Sequence, residues 1–316
     1  MRRLHFVLWP LVLTLSFCLF NPRLYSQEHK LLAMKPLGEE AFQVLREFFQ
    51  YDKDMPLDAR IIATDDTPDY IREKIVFNGA QDSRVPGYLA LPKKDVPPYP
   101  CVLLLHGTVP AAKEVFWDQR LAYGDTLIRK SLLQAGFAVL TLDAQYLGER
   151  TMLTDYVNGS MMIFRRHWKY KGMDLLVQTA VDHRRALDYL ATRSEIDTSR
   201  IGALGYSGGG MTAIYLTAVD RRVKVLIPCV TALNIYGSLV PEILALWHYV
   251  RAFGDRPVLF MMSRHDPFYS VEQTEQFFSL VKGSSKQLLF FDIDGHRLPP
   301  EHAPKAVEWF QKHLRK

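Results

Sequence analysis

Ser207 stands in the run Gly205-Tyr206-Ser207-Gly208-Gly209, between a short β-type stretch, Arg200 to Leu204, and a helix-like one, Met211 to Ala218. A serine hydroxyl is a poor nucleophile at neutral pH. It needs a tight strand-to-helix turn that lifts it out of the chain, where a base can reach it and amide N–H groups converge. The flanking glycines permit such a turn, because they reach backbone angles closed to other residues and let a helix and a substrate approach without a Cβ in the way. By itself the pattern carries little, since chance supplies roughly a tenth of a match in a chain of this length. The chemistry therefore depends on partners elsewhere.

His296, in Asp294-Gly295-His296, is the candidate base, because an imidazole that titrates near neutrality suits taking the Ser207 proton during attack. Asp266 is the candidate that orients His296 and stabilises its imidazolium; Asp292 and Asp294 are nearby carboxylates that could serve instead. The tetrahedral intermediate needs N–H donors aimed at its oxyanion. Gly208, directly after the nucleophile and at a helix start, supplies one, and the loop His106-Gly107-Thr108-Val109 supplies the other, with Thr108 the first choice and Val109 the second. Three other histidines take plainer readings: His106 fixes its loop, His265 points away from Asp266, and His302 is a surface or capping residue at the start of the last helix. No metal site is expected, because His296 and Glu301-His302 lack the helical spacing that places two ligands on one face. The glycines from 205 to 209 lack the spacing of a nucleotide loop, and the chemistry calls for no cofactor.

These residues must be held by a frame, and the chain alternates strand-like and helix-like segments from Ile71 onward. Strands are expected at Glu73–Phe77, Gly87–Leu91, Val102–Leu105, Phe137–Leu142, Ile201–Leu204, Val223–Pro228, Val258–Met262 and Gln287–Phe291. Helices are expected at Gln119–Gln134, Met173–Thr192, Met211–Ala218, Val271–Val281 and Ala303–His313. Short apolar strands separated by helices imply an α/β architecture: a mostly parallel, twisted sheet of about eight strands with helices on both faces and an antiparallel edge at its start. Ligands of such sheets sit beyond the carboxyl ends of the strands, where Ser207, Asp266 and His296 all fall. Residues 27–70 form an N-terminal extension, a helix at Glu39–Tyr51 followed by a linker, ahead of a catalytic domain spanning 71–316.

His106-Gly107-Thr108 with Lys113-Glu114, Asp143 to Gly148-Glu149-Arg150, the Ser207 turn, Asp266 and Gly295-His296-Arg297 together resemble the α/β-hydrolase superfamily. Within it the chain is similar to the dienelactone-hydrolase-like and acetyl-xylan-esterase-like branch, near the catalytic domain of prolyl oligopeptidases, over about residues 70–315. The resemblance implies a serine hydrolase that cleaves a carboxylic ester through an acyl-enzyme. Dienelactone hydrolases proper use Cys where this chain has Ser207, so their substrate does not carry over. Two alternatives stand beside the esterase: an aminopeptidase or amidase related to prolyl oligopeptidases, and a non-catalytic binding protein on the hydrolase fold. An acidic pair for a peptide N-terminus is not evident, and a complete candidate triad speaks against the binding protein.

Two insertions, at about 151–172 and 231–255, follow strands at the rim and have two readings, a packed flap over the body or a wall of the substrate pocket that shapes specificity; on the second, Trp168, Trp247 and Tyr206 are the candidate substrate-binding residues. The expected partner is a small-molecule or acylated saccharide ester. The formal charge of +5 falls to +2 without residues 1–26, which hold three arginines and no acids, so nothing calls for a nucleic-acid partner. That first segment, Arg2 and Arg3 before the apolar run Phe6 to Phe20, has the pattern of a secretory signal peptide, with an uncleaved membrane anchor as the alternative. The expected location is secreted or periplasmic. Cys101 and Cys229, the cysteines left after it, sit in apolar runs and read as buried thiols.

Overall fold

Tyr99–Leu105 (β4) and Ala138–Leu142 (β5) are buried at every residue, which suits inner strands of a sheet covered on both faces. They belong to the nine-stranded sheet of a computed structural model that describes residues 33–81, 83–121, 125–151, 169–233, 235–236 and 240–315. The other strands are Arg60–Asp66 (β1), Tyr70–Asn78 (β2), Arg84–Pro92 (β3), Ile196–Tyr206 (β6), Val223–Cys229 (β7), Val258–His265 (β8) and Lys286–Asp294 (β9). Their order is β1-β2-β3-β5-β4-β6-β7-β8-β9. β1, β2, β3 and β5 pair antiparallel, and every pairing from β5 to β9 is parallel; Leu103 lies opposite both Leu140 and Ala203. The antiparallel edge and the parallel body agree with expectation.

The strand number does not. The additional strand is β1, in the stretch expected to be a linker. All seven of its residues are exposed and it pairs on one side only, with β2, so neither apolar alternation nor burial marks it in the sequence.

Glu39–Glu47 (α1), Lys169–Ala191 (α3), Gly208–Val219 (α4) and Val271–Ser279 (α5) contribute to the core on one face, through Phe42, Leu187, Ile214 and Phe277. Thr126–Gln134 (α2) and His302–Leu314 (α6) cover the other, through Ile128, Leu132 and Phe310. α2 starts later than the expected Gln119 because the Asp125 side chain accepts the Ile128 N–H and caps the helix there, while Asp118 closes a separate turn through the Arg120 N–H. The N-terminal extension is bound to the body. Phe42 and Phe49 pack edge-on against Tyr249, and Tyr51 donates its hydroxyl to Asp188.

From β4 the chain passes through α2 to β5 on one side, then through α3 back across to β6 on the other. The carboxyl ends of β4 and β6 therefore flank the point where strand order reverses, the place where an open α/β sheet leaves a crevice for ligands.

Candidate active site

Ser207 occupies that crevice at the turn between β6 and α4. Its backbone, φ 52° and ψ −118°, lies in a region that costs a non-glycine residue about 1–3 kcal/mol and is held only when its surroundings enforce it. Two hydrogen bonds do so: Ser207 N–H donates to the Cys229 carbonyl at 2.9 Å, and Met211 N–H donates to the Ser207 carbonyl at 3.1 Å. The turn is pressed onto the end of β4, where a Cβ at Gly209 would stand 2.3 Å from the Leu105 carbonyl oxygen, so no side chain fits.

The loop after β4 faces the start of α4. A Cβ at Gly208 would stand 2.3 Å from Thr108 Oγ1 and 3.6 Å from Thr108 N, so the two amides chosen from the sequence are neighbours. Val109 N–H is taken by the Gly107 carbonyl at 2.8 Å, which separates it from Thr108 as a donor. His106 fixes this loop. Its Nδ1 faces the Gly107 carbonyl at 2.6 Å and its Nε2 accepts the Ala144 N–H at 3.1 Å, and burial lowers its pKa, which keeps the ring neutral.

Beneath the loop, a 3₁₀ turn at Ala112–Phe116 presents Lys113, fully buried, to Asp143 Oδ2 at 2.7 Å and Glu149 Oε1 at 2.6 Å. Burial opposes the ammonium, but Asp143 and Glu149 outweigh it and raise the Lys113 pKa above its ordinary value. Asp143 also accepts the amide N–H groups of Lys113 and Glu149, so one carboxylate ties the segment that follows the β4 loop to the turn after β5. A cavity behind the loop is lined by Leu105, His106, Thr108, His183 and Gly209.

On the other side of Ser207, His296 Nδ1 lies 2.7 Å from Asp266 Oδ2. The Asp266 side chain is buried, its Oδ1 accepts the Phe268 N–H at 2.9 Å, and the Phe268 ring stands edge-on to the imidazole. Gly295, φ 87°, turns the loop and donates its N–H to the His265 carbonyl. Asp292 is 83% exposed and pairs with His265 at 2.9 Å, so His265 points elsewhere, and Asp266 is the carboxylate that His296 meets. Ser207, Asp266 and His296 follow β6, β8 and β9, whose parallel carboxyl ends share one rim.

One expectation needs correction. His302, read as a surface or capping residue, is buried, with Nε2 2.5 Å from the Tyr206 hydroxyl and 2.9 Å from Asp125 Oδ2. Tyr206, expected among the substrate-binding residues, is tied by its hydroxyl into this contact. Trp247 is buried, edge-on to Tyr236 and His248; Trp168 lies outside the described residues, as does most of the 151–172 insertion. The sequence pattern missed Asp125, whose one visible signal is its place as a cap before α2. Cys101 and Cys229 are free and buried, as expected. Among the described residues no helix is long and apolar enough to cross a membrane.

The fold and the strained Ser207 turn define an α/β-hydrolase. Residues 43–241 match the family model described as acetyl xylan esterase, and the chain belongs to that family of carboxylic ester hydrolases. The matched region includes Thr108 and Ser207 and ends before Asp266 and His296. A curated relative, YtaP of Bacillus subtilis (strain 168), a hydrolase by its name, is 26% identical over 184 residues, 54% of this chain and 56% of that one. The chain thus spans just over half the length of this relative. In fold it resembles acetyl xylan esterase 1 from Thermoanaerobacterium sp. (TM-score 0.65, 15% identity, 88% of this chain and 94% of that one). It also resembles an acetyl xylan esterase from Paenibacillus sp. R4 (TM-score 0.64, 19% identity, 94% and 99%).

Proposed function

We propose that this protein hydrolyses carboxylic esters of acylated saccharides, acetylated xylan among them, through an acyl-enzyme on Ser207. The observation that carries the reading is the His296–Asp266 pair at 2.7 Å on the rim that also bears the strained Ser207 turn. Ser207 Oγ attacks the acyl carbon as His296 Nε2 takes its proton. Asp266, held by its own bond from Phe268, accepts the bond from Nδ1–H and stabilises the imidazolium. The N–H groups of Thr108 and Gly208 receive the developing oxyanion. His296 then returns the proton to the departing alcohol, and water repeats the sequence on the acyl-enzyme. The family and the names of the structural relatives support a saccharide substrate, and the N-terminal pattern of residues 1–26 supports export.

The test is turnover of acetylated xylo-oligosaccharides and of a chromogenic acetyl ester by the parent and by Ser207→Ala, with fluorophosphonate labelling of both. The parent is expected to turn over and take one label, with Ser207→Ala losing about six orders of magnitude in kcat. Full turnover by Ser207→Ala contradicts the reading. A hydrolase active only on aminoacyl amides favours the peptidase-like alternative.

A further inference from the structure

Three segments that the chain brings from far apart meet beside Ser207. Asp125 caps α2, Tyr206 is the last residue of β6 and immediately precedes the nucleophile, and His302 opens α6. His302 Nδ1 lies 2.7 Å from the Pro299 carbonyl, an acceptor, so that nitrogen donates. Its Nε2 lies 2.9 Å from Asp125 Oδ2 and 2.5 Å from the Tyr206 hydroxyl, so both ring nitrogens are engaged within the protein. The Tyr206 ring stands edge-on to the imidazole and packs on Phe116. Burial pushes the Tyr206 phenol well above its ordinary range, so it stays an O–H donor. Burial opposes charge on Asp125, but the bonds from His302, Tyr206 and the Ile128 amide outweigh it and hold its carboxyl below the usual carboxylate range.

The segment between His296 and His302 contains Leu298-Pro299-Pro300, where each proline fixes its own φ. It is pinned at both ends: Gly295 N–H reaches the His265 carbonyl, while the His302 N–H and Nδ1 both reach the Pro299 carbonyl. Hydrogen bonds therefore connect the residue before the nucleophile to the far end of the loop that carries the base.

We propose that Asp125, His302 and Tyr206 form a positioning network that sets the distance between Ser207 and His296. The proposal rests on the reading of Ser207 as nucleophile and His296 as base. His302 and Asp125 have their polar atoms engaged with Tyr206, Pro299 and Ile128 and with each other, and in this network they act by fixing both partners of the proton transfer. A misplacement of about 1 Å between reacting groups costs on the order of a hundredfold in rate while leaving substrate binding nearly intact. The expected signature is a loss in kcat at constant KM.

The experiment compares the parent, Tyr206→Phe, His302→Gln and the double variant on a soluble acetyl ester, well below their unfolding temperatures, alongside the rate of fluorophosphonate labelling. Tyr206→Phe removes a single oxygen and keeps the ring, so it carries the test even if His302→Gln does not fold. Each single variant is expected to lose about tenfold to a hundredfold in kcat, with KM within about twofold and the labelling rate falling by the same factor. The double variant is expected to lose no more than the worse single one, as members of one network do. Unchanged kcat and labelling in Tyr206→Phe overturn the proposal, as do independent, multiplying losses in the double variant. Ser207→Ala keeps the two readings apart: if it retains turnover the nucleophile assignment fails, and if it is dead while Tyr206→Phe is fully active, only the positioning network fails.

Discussion

His296 and His302 lie six residues apart, one 2.7 Å from Asp266 and the other 2.9 Å from Asp125, yet they are fitted for opposite tasks. His302 is buried with both nitrogens engaged, by Pro299 on one side and by Asp125 with Tyr206 on the other. His296 gives Nδ1 to a buried carboxylate and stays partly exposed on the rim where Ser207 stands. A third pair, His265 with Asp292, has the same chemistry in water. A histidine beside an aspartate is thus not a function. What the second nitrogen meets, and how dry the carboxylate is, separates the proposed base from the proposed clamp and both from a surface contact.

The largest effect that can break this comparison is the removal of charge from the carboxylates. Asp266→Asn is expected to lower kcat by about four orders of magnitude, because the amide fails to hold the imidazole tautomer or to stabilise its charged form. Steady-state kinetics at saturating substrate check it. Equal losses from Asp266→Asn and Asp125→Asn would erase the distinction drawn between the two pairs.

Next comes the cluster under the loop that follows β4. Lys113→Met leaves Asp143 buried without its cation, and a broken buried ion pair costs about 3–5 kcal/mol of stability. A loss of unfolding free energy of that order is expected, read as a lower denaturant midpoint at unchanged m. A midpoint that stays put means the cluster does not hold the loop.

A histidine without an anion sharpens the comparison further. His183 is buried, its Nδ1 donates to the Thr179 carbonyl at 2.7 Å, and burial pushes its pKa down to about 4. The folded state therefore refuses a proton that the unfolded state accepts below about pH 6.5. Stability is expected to be level with respect to this group above that pH and to fall between pH 6.5 and 4, by up to about 3 kcal/mol, as the unfolded chain protonates first. Chemical denaturation across this window measures it, and His183→Gln is expected to flatten the slope. An unchanged slope would assign the acid sensitivity to other groups.

The smallest effect belongs to the exposed pair. His265→Asn is expected to shift stability by less than about 1 kcal/mol and to leave kcat unchanged, since ion pairs in water contribute little. A tenfold loss of rate would mean that this pair takes part in the site after all.

The sheet was legible where its strands are buried on both faces. Val102–Leu105 is an unbroken apolar run and Phe137–Leu142 is apolar but for Thr141, whose hydroxyl accepts the Trp117 indole N–H; burial on both sides demands that pattern. Arg60–Asp66 was not, because an exposed edge strand pairs by backbone alone and needs no apolar code. Within the site, Ser207, Thr108 and Gly208 were visible as turn chemistry, and Asp266 and His296 as the polar residues that follow apolar strands. His302 was misread because nothing local distinguishes a histidine at an exposed helix start from one buried against Asp125, a residue 177 positions earlier in the chain.

The proposed mechanism forms a covalent bond between the substrate acyl group and Ser207. Rapid acid quench of the parent protein with a fast-reacting acetyl ester, followed by peptide mass spectrometry, tests it directly. One acetyl group on the peptide containing Ser207, absent from Ser207→Ala and accumulating in Asp266→Asn only at its slowed rate, is the expected result. An acetyl group on another residue, formed at the turnover rate of the parent, would rule out Ser207 as the nucleophile.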